Sequence, residues 1–349
     1  MFRNIALQTN PEPIGFLLIP KFSSMAFFSA IEPLRVANRL AGRPLFAWHP
    51  LSVDGGPVEA SNGMRLMVDG KLEDAESLPT LIICAGFDPW QFETRAILSM
   101  LRRLHRRGVV LGALDTGAHM LAKAGLLGDF PVTMHWEAVP AFIEEFPDIA
   151  VSAELFEIHH DIFTCAGGTA ALDMMLYMIA GKHGMKLALA VSEQFIHDRI
   201  RNADDQQRIA LPTRLRSNNR KVLAIVEAME RSMEQPLAPR DLAAMAAVSV
   251  RQMERLFRQV MGCSPSEHYR RLRLERARSL LLQTDMAVID IAMATGFSSA
   301  SIFSRSYSAH FGVSPRADRR KPDYLGAEGE SIIEAPMRQT MSLPFNSDG

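Results

Sequence analysis

Three groups of residues in the 349-residue chain have types and spacings suited to chemistry. The first is the junction where Val109-Val110-Leu111-Gly112-Ala113-Leu114 runs into Asp115-Thr116-Gly117-Ala118. An apolar, strand-length run ends there on an acid, and the small residues after it allow a sharp strand-to-helix turn that lifts the Asp115 side chain above a sheet. The second group lies on two helical patterns, Arg251, Gln252, Arg255, Arg258 and Gln259 on one and Ser299, Ser301, Ser304 and Arg305 on the other. Arginine pairs bidentately with guanine and serine bonds several base edges, so these faces suit the major groove of duplex DNA. The third group is the cysteines. Cys84, Cys165 and Cys263 are odd in number and far apart, which fits buried free thiols in a reducing compartment, and no metal or cofactor is expected.

The elements that must position these residues divide by charge. Between residues 214 and 322 there are 19 Lys and Arg against 10 Asp and Glu, which leaves 19 against 29 in the rest of a chain whose net charge is −1. An acidic body is joined to a basic module, and a basic module of that size suits a phosphate-bearing partner. In the acidic part, strands are expected at residues 14–19, 46–53, 81–84, 109–114 and 156–165, and helices at 24–40, 92–107, 118–127, 136–146, 169–181 and 185–200. Alternation of that kind predicts a mainly parallel sheet covered on both faces, with ligands at the carboxyl ends of the strands. Residues 200–219, polar with few apolar anchors, read as an exposed linker. The longest apolar runs are strand-length and the N-terminus has no signal-like pattern, so a cytoplasmic protein without a membrane span is expected.

The basic part contains one unit twice. Asp241-Leu242-Ala243-Ala244, Ser249 and Gly262-Cys263-Ser264-Pro265 reappear as Asp290-Ile291-Ala292-Met293, Ser299 and Gly312-Val313-Ser314-Pro315. Each copy reads as a short helix, a turn and a second helix opened by Ser. Met253, Leu256, Phe257 and Val260 form the inner stripe of the first copy, and Phe303, Tyr307, His310 and Phe311 that of the second. A long helix over residues 266–283 joins the copies, with Arg270, Arg271, Arg273 and Arg278 available to phosphates.

The duplicated unit, with Gly296-Phe297, Phe303-Ser304-Arg305 and Phe311-Gly312-Val313-Ser314-Pro315, resembles the DNA-binding domain of AraC/XylS-family transcription regulators. Asp318 departs from that pattern, which has an aromatic residue there, and this bears on the packing of the last turn. The resemblance implies base reading by Arg251, Glu254, Arg255, Ser304 and Arg305.

The Asp115 junction, followed by Ala124-Gly125-Leu126-Leu127 and Thr133-Met134-His135-Trp136, resembles the PfpI/DJ-1 superfamily and its class I glutamine amidotransferase-like relatives. That implies a flavodoxin-like α/β fold. Enzymes of the superfamily carry a cysteine at the elbow, and here Asp115 stands in its place, so no catalytic residue is assigned and no enzyme activity is expected.

Together the two domains resemble GlxA-type regulators within the AraC family. Ser29-Ala30-Ile31-Glu32-Pro33-Leu34-Arg35, Asp54-Gly55-Gly56-Pro57 and Ala60-Ser61-Asn62-Gly63 are similar to regulators of glycine betaine, dimethylglycine and carnitine catabolism. The resemblance implies a cationic effector with Asp115 and Glu32 as countercharges, its carboxylate at Thr116 and the elbow amides from Gly117 onward, and contacts from His135 and Trp136, with Phe22, Phe28, Phe87 and Trp90 near strand ends.

The expected organisation is thus a sensing domain at 10–200, a linker at 201–218, an all-α double helix-turn-helix domain at 219–321 and a disordered tail at 322–349. The family resemblance implies an activator that works as a homodimer with duplex DNA, a small effector and RNA polymerase as partners. The rival readings are a PfpI/DJ-1-type hydrolase or deglycase with an accessory DNA module, and an architectural or RNA-binding protein, which would need an exposed aromatic stacking platform.

Overall fold

The computed structural model describes residues 10–319, so the tail expected at 322–349 lies outside the described residues. The first half runs β1 (Glu12–Leu18), α1 (Ser24–Ala41), β2 (Phe46–Ser52), β3 (Val58–Glu59), β4 (Arg65–Leu66), β5 (Gly70–Lys71), β6 (Thr80–Cys84), α2 (Arg95–Arg106), β7 (Val110–Leu114), α3 (Ala118–Lys123), α4 (Val139–Glu145), β8 (Phe156–His159), β9 (Ile162–Cys165), α5 (Ala170–His183) and α6 (Met185–Gln194). The second half is helical: α7 (Leu211–Arg214), α8 (Arg220–Arg231), α9 (Pro239–Met245), α10 (Val250–Met261), α11 (Pro265–Gln283), α12 (Val288–Ala294), α13 (Ala300–Phe311) and α14 (Pro315–Arg319).

A seven-stranded sheet in the order β5-β2-β1-β6-β7-β9-β8 forms the first half, a flavodoxin-like α/β arrangement. All its neighbours are parallel except β8 and β9. The strands are apolar almost throughout because both faces are covered. Phe16, Leu18, Ile82, Cys84 and Leu114 face the layer that holds α1, α5 and α6, whereas Leu17, Ile19, Leu81, Ile83, Leu111 and Ala113 face the layer of α2, α3 and α4. From β1 the chain steps outward to β2 on one side and later returns to β6 on the other, so the strand order reverses at β1/β6. A crevice at the carboxyl ends of these strands follows from that reversal.

Several expectations are corrected. The single strand at 156–165 is an antiparallel hairpin, with His159 opposite Ile162. The helix expected over 185–200 stops at Gln194, because Ile196 takes φ +53° and the His197 amide turns back to the Ser192 carbonyl. Trp136 precedes α4 in a turn closed by the Ala138 amide on the His135 carbonyl, 2.9 Å. The linker is fastened rather than free: Asp173, fully buried on α5, accepts from Arg201 Nε at Oδ2 (2.8 Å) and from the Arg201 amide at Oδ1 (2.7 Å), and the same Oδ1 lies 2.8 Å from His197 Nε2.

In the second half the repeated residues are mostly helix ends. Ser249 caps α10 in a reciprocal pair with Gln252, Ser299 caps α13, and Ser264 caps α11. Gly262 and Gly312 close α10 and α13 with φ of +68° and +71°. The turns inside the two units differ at one residue: Ala247 holds φ +50° where the other copy has Gly296 at +71°, and a Cβ on Gly296 would lie 2.6 Å from the Met233 carbonyl.

Candidate functional site

Asp115 follows β7 with φ +60°, a conformation that strains most side chains and that Asp and Asn tolerate best. The turn depends on Gly117, whose missing Cβ would sit 2.5 Å from the Ile83 carbonyl oxygen. Gly167 packs against the other flank, where a Cβ would meet that of Asp115 at 2.8 Å. The loops after β1 and β6 complete the rim: Ser23 donates its amide to the Ala85 carbonyl (3.3 Å) and Phe87 donates its own to Lys21 (3.2 Å).

Asp115 is half-buried among these loops. Burial pushes its pKa up, a hydrogen bond with Ser23 opposes the rise, and the nearby Glu137 carboxylate adds to it, so that Asp115 titrates at about 7. The His135 amide bonds the Asp115 carbonyl oxygen at 3.3 Å, and burial lowers the imidazole pKa. Ser23 and Glu137 are thus site residues that the sequence reading missed. Ser23 carried a signal as the cap before α1, whereas Glu137 carried none.

The remaining expected ligand contacts are placed as follows. The Thr116 hydroxyl already donates to the Gly86 carbonyl at 2.6 Å. The amides of Gly117, His119 and Met120 bond the carbonyls of Leu114, Thr116 and Gly117, so the turn holds few free donors for a carboxylate. Glu32 is not beside Asp115: it lies nine residues beyond Ser23, about 13 Å along α1, and its carboxylate takes Arg35 Nε at 2.9 Å. Phe22 is core, and Trp90 packs on His119, whereas Phe28, Phe87 and Trp136 remain exposed. Cys84 and Cys165 are buried beside the elbow, and burial raises both thiols, that of Cys165 to about 12, so neither supplies a thiolate.

In the helical half, Arg251, Glu254, Arg255 and Arg305 are exposed and Ser304 is half-buried, while Met253 and Phe257, and Phe303 and Tyr307, hold the two helices to their cores. His310 is exposed rather than part of the inner stripe. Ile302 is 47% exposed on the outer side of α13, an apolar surface that suits a thymine methyl. Two of the arginines expected on phosphates are used inside the fold. Arg273 donates to the carbonyls of Thr295 (2.7 Å) and Gly296 (2.6 Å), and Arg278 donates to Asp318 (2.9 Å). Asp318, buried, also accepts from the Tyr307 hydroxyl at 2.7 Å, so the departure from the aromatic pattern is accommodated by a polar triad that ties α14 to α11 and α13.

Among the described residues no group of three or more His, Cys, Asp or Glu is placed to hold a metal, and no helix is long and apolar enough to cross a membrane.

A flavodoxin-like domain with an acid at its elbow, followed by a double helix-turn-helix module, defines the class of the protein. Residues 14–181 match the DJ-1/PfpI family and residues 242–321 a helix-turn-helix domain. The chain is 50% identical over 304 residues to the HTH-type transcriptional regulator CdhR of Pseudomonas aeruginosa, covering 87% of this chain and 90% of that one. It is 43% identical to the regulator GbdR of the same species (97% and 91% covered) and 40% identical to GlxA of Rhizobium meliloti (89% and 97%). The chain belongs to the GlxA-type HTH transcriptional regulators of the AraC family.

Proposed function

We propose that this DNA-binding transcription regulator is an activator controlled by a small methylated amine or amino acid, such as glycine betaine, dimethylglycine or carnitine, bound at the elbow. The observation that carries the reading is a half-buried acid, Asp115, at the position where the enzymes of the fold keep a thiol, on a chain that also presents Arg-bearing helices outward. A methylated ammonium has few or no N–H donors, so an ionised carboxylate and an aromatic face are what can hold it. Asp115 supplies the charge and Trp136, 42% exposed beside His135, the face. Without a nucleophile at the elbow the domain senses rather than catalyses. Arg251, Glu254, Arg255, Ser304 and Arg305 read bases, and two protomers pair so that their modules meet successive sites on the duplex and RNA polymerase.

The test begins with full-length protein selecting its duplex from a random pool. Affinity for the selected duplex should fall steeply as salt rises, since each neutralised phosphate releases counterion. Arg255→Ala should cost about 1–3 kcal/mol and relax choice at one base position. Equal weakening on every sequence would make Arg255 a phosphate contact and remove it from the reading set.

A further inference from the structure

The Trp136 ring stands one residue from the amide that bonds Asp115, and it is already in use. The Arg208 guanidinium lies over it, 4.5 Å from the ring centroid. Arg208 is held there by its neighbour: Gln207 Nε2 donates to Thr133 Oγ1 (2.9 Å) and to the carbonyls of Met134 (3.0 Å) and Glu154 (2.9 Å). The connector is therefore pinned to the extended segment that leads into Trp136.

The same short stretch also meets the DNA-binding half. Ser279 on α11 donates its hydroxyl to the Glu137 carbonyl at 2.9 Å. Ala141 on α4 is buried in the apolar cluster of Leu274, Ala277, Leu280 and Phe303. Farther along the connector, Arg214 is paired with Glu230 on α8 at 3.1 Å. Residues 135–141 thus touch the elbow at one end and α11, the helix joining the two DNA-reading units, at the other.

A guanidinium over an indole uses the attraction that would hold a methylated ammonium, and two cations cannot share that face. We propose that Arg208 is an internal occupant of the aromatic seat at Trp136, and that its eviction by the effector's cation carries binding to α11. This rests on the methylated-ammonium reading above. The ligand binds only the arrangement with Arg208 displaced, which is the differential affinity that a switch requires. In its seat Arg208 is partly desolvated and lies within reach of opposing charges from the DNA-binding side, the cation Arg214 and the carboxylates Glu230 and Glu275, so its position is already coupled to that half.

The experiment compares full-length wild type, Arg208→Ala and Arg208→Lys by calorimetric titration with glycine betaine, and follows hydrogen exchange across residues 133–141 and α11 with and without it. Removing the competitor should tighten binding roughly 2- to 5-fold, the equivalent of one exposed cation–π contact. The ligand-free Arg208→Ala protein should exchange like liganded wild type, and Arg208→Lys should fall between. If wild type and Arg208→Ala bind glycine betaine equally and exchange alike, the occupant role is overturned while the effector reading stands. If glycine betaine binds neither protein, both are overturned.

Discussion

Replacing Asp115 by Asn keeps the size and shape of the side chain, suits φ +60°, and removes only the ability to ionise. The rise of the carboxyl pKa from 3.8 to about 7 on folding means that the folded protein resists ionisation there. That rise corresponds to about 4 kcal/mol, and because Asp115 as a residue is only half-buried the expected effect is about 2–4 kcal/mol. Because the folded pKa is raised, the stabilisation belongs to the protonated form. It is fully present below about pH 4 and is lost as pH rises through about 7. Asp115→Asn should therefore come nearest to wild type below about pH 4 and exceed it by a margin that grows up to pH 8. For a domain of this size the gap in the thermal midpoint is on the order of 5–15 °C. A cationic effector has the opposite dependence, since it needs the ionised acid. Ionised Asp115 grows from roughly a tenth of molecules at pH 6 to nine tenths at pH 8, so glycine betaine should bind wild type about tenfold more tightly at pH 8. Asp115→Asn should bind weakly at both values. Thermal unfolding across this pH range, with calorimetry at its two ends, measures both effects. A stability gap that does not change with pH, or wild-type binding that is flat between pH 6 and 8, would refute the assignment of Asp115 as the recessed countercharge.

Two further outcomes concern the DNA-binding half. Ala247→Gly relieves a left-handed alanine at φ +50° and should stabilise the module by about 0.5–1 kcal/mol in chemical denaturation, after the entropy of the added glycine is counted; a loss of stability would mean that the turn is not strained. Asp318→Ala leaves Arg278 and Tyr307 without their shared acceptor and should cost about 3 kcal/mol, the low end for a broken buried pair because Arg278 is partly solvated. A cost under about 1 kcal/mol would show that the triad adds little to the packing of α14.

What the sequence alone determined is whatever depends on local periodicity and on end signals. The alternating strands and helices, the elbow at Asp115, the duplicated helix-turn-helix and its Ser and Gly caps follow from patterns within about a dozen residues, where hydrogen bonding and side-chain spacing are set. Only tertiary structure decided which groups share a site, because those contacts join segments far apart in the chain. It put Ser23 and Glu137 at Asp115 and left Glu32 with Arg35. It turned Arg273 and Arg278 inward, because buried carbonyls and Asp318 offered them partners that no local pattern displays. It also drew the polar connector onto the sensing domain: residues 201–208 look solvated by composition, yet Asp173, buried on α5, needs the bonds of Arg201, and Trp136 offers its face to Arg208. A buried charge must find its partner wherever the fold brings one, and that pairing is a property of the folded chain.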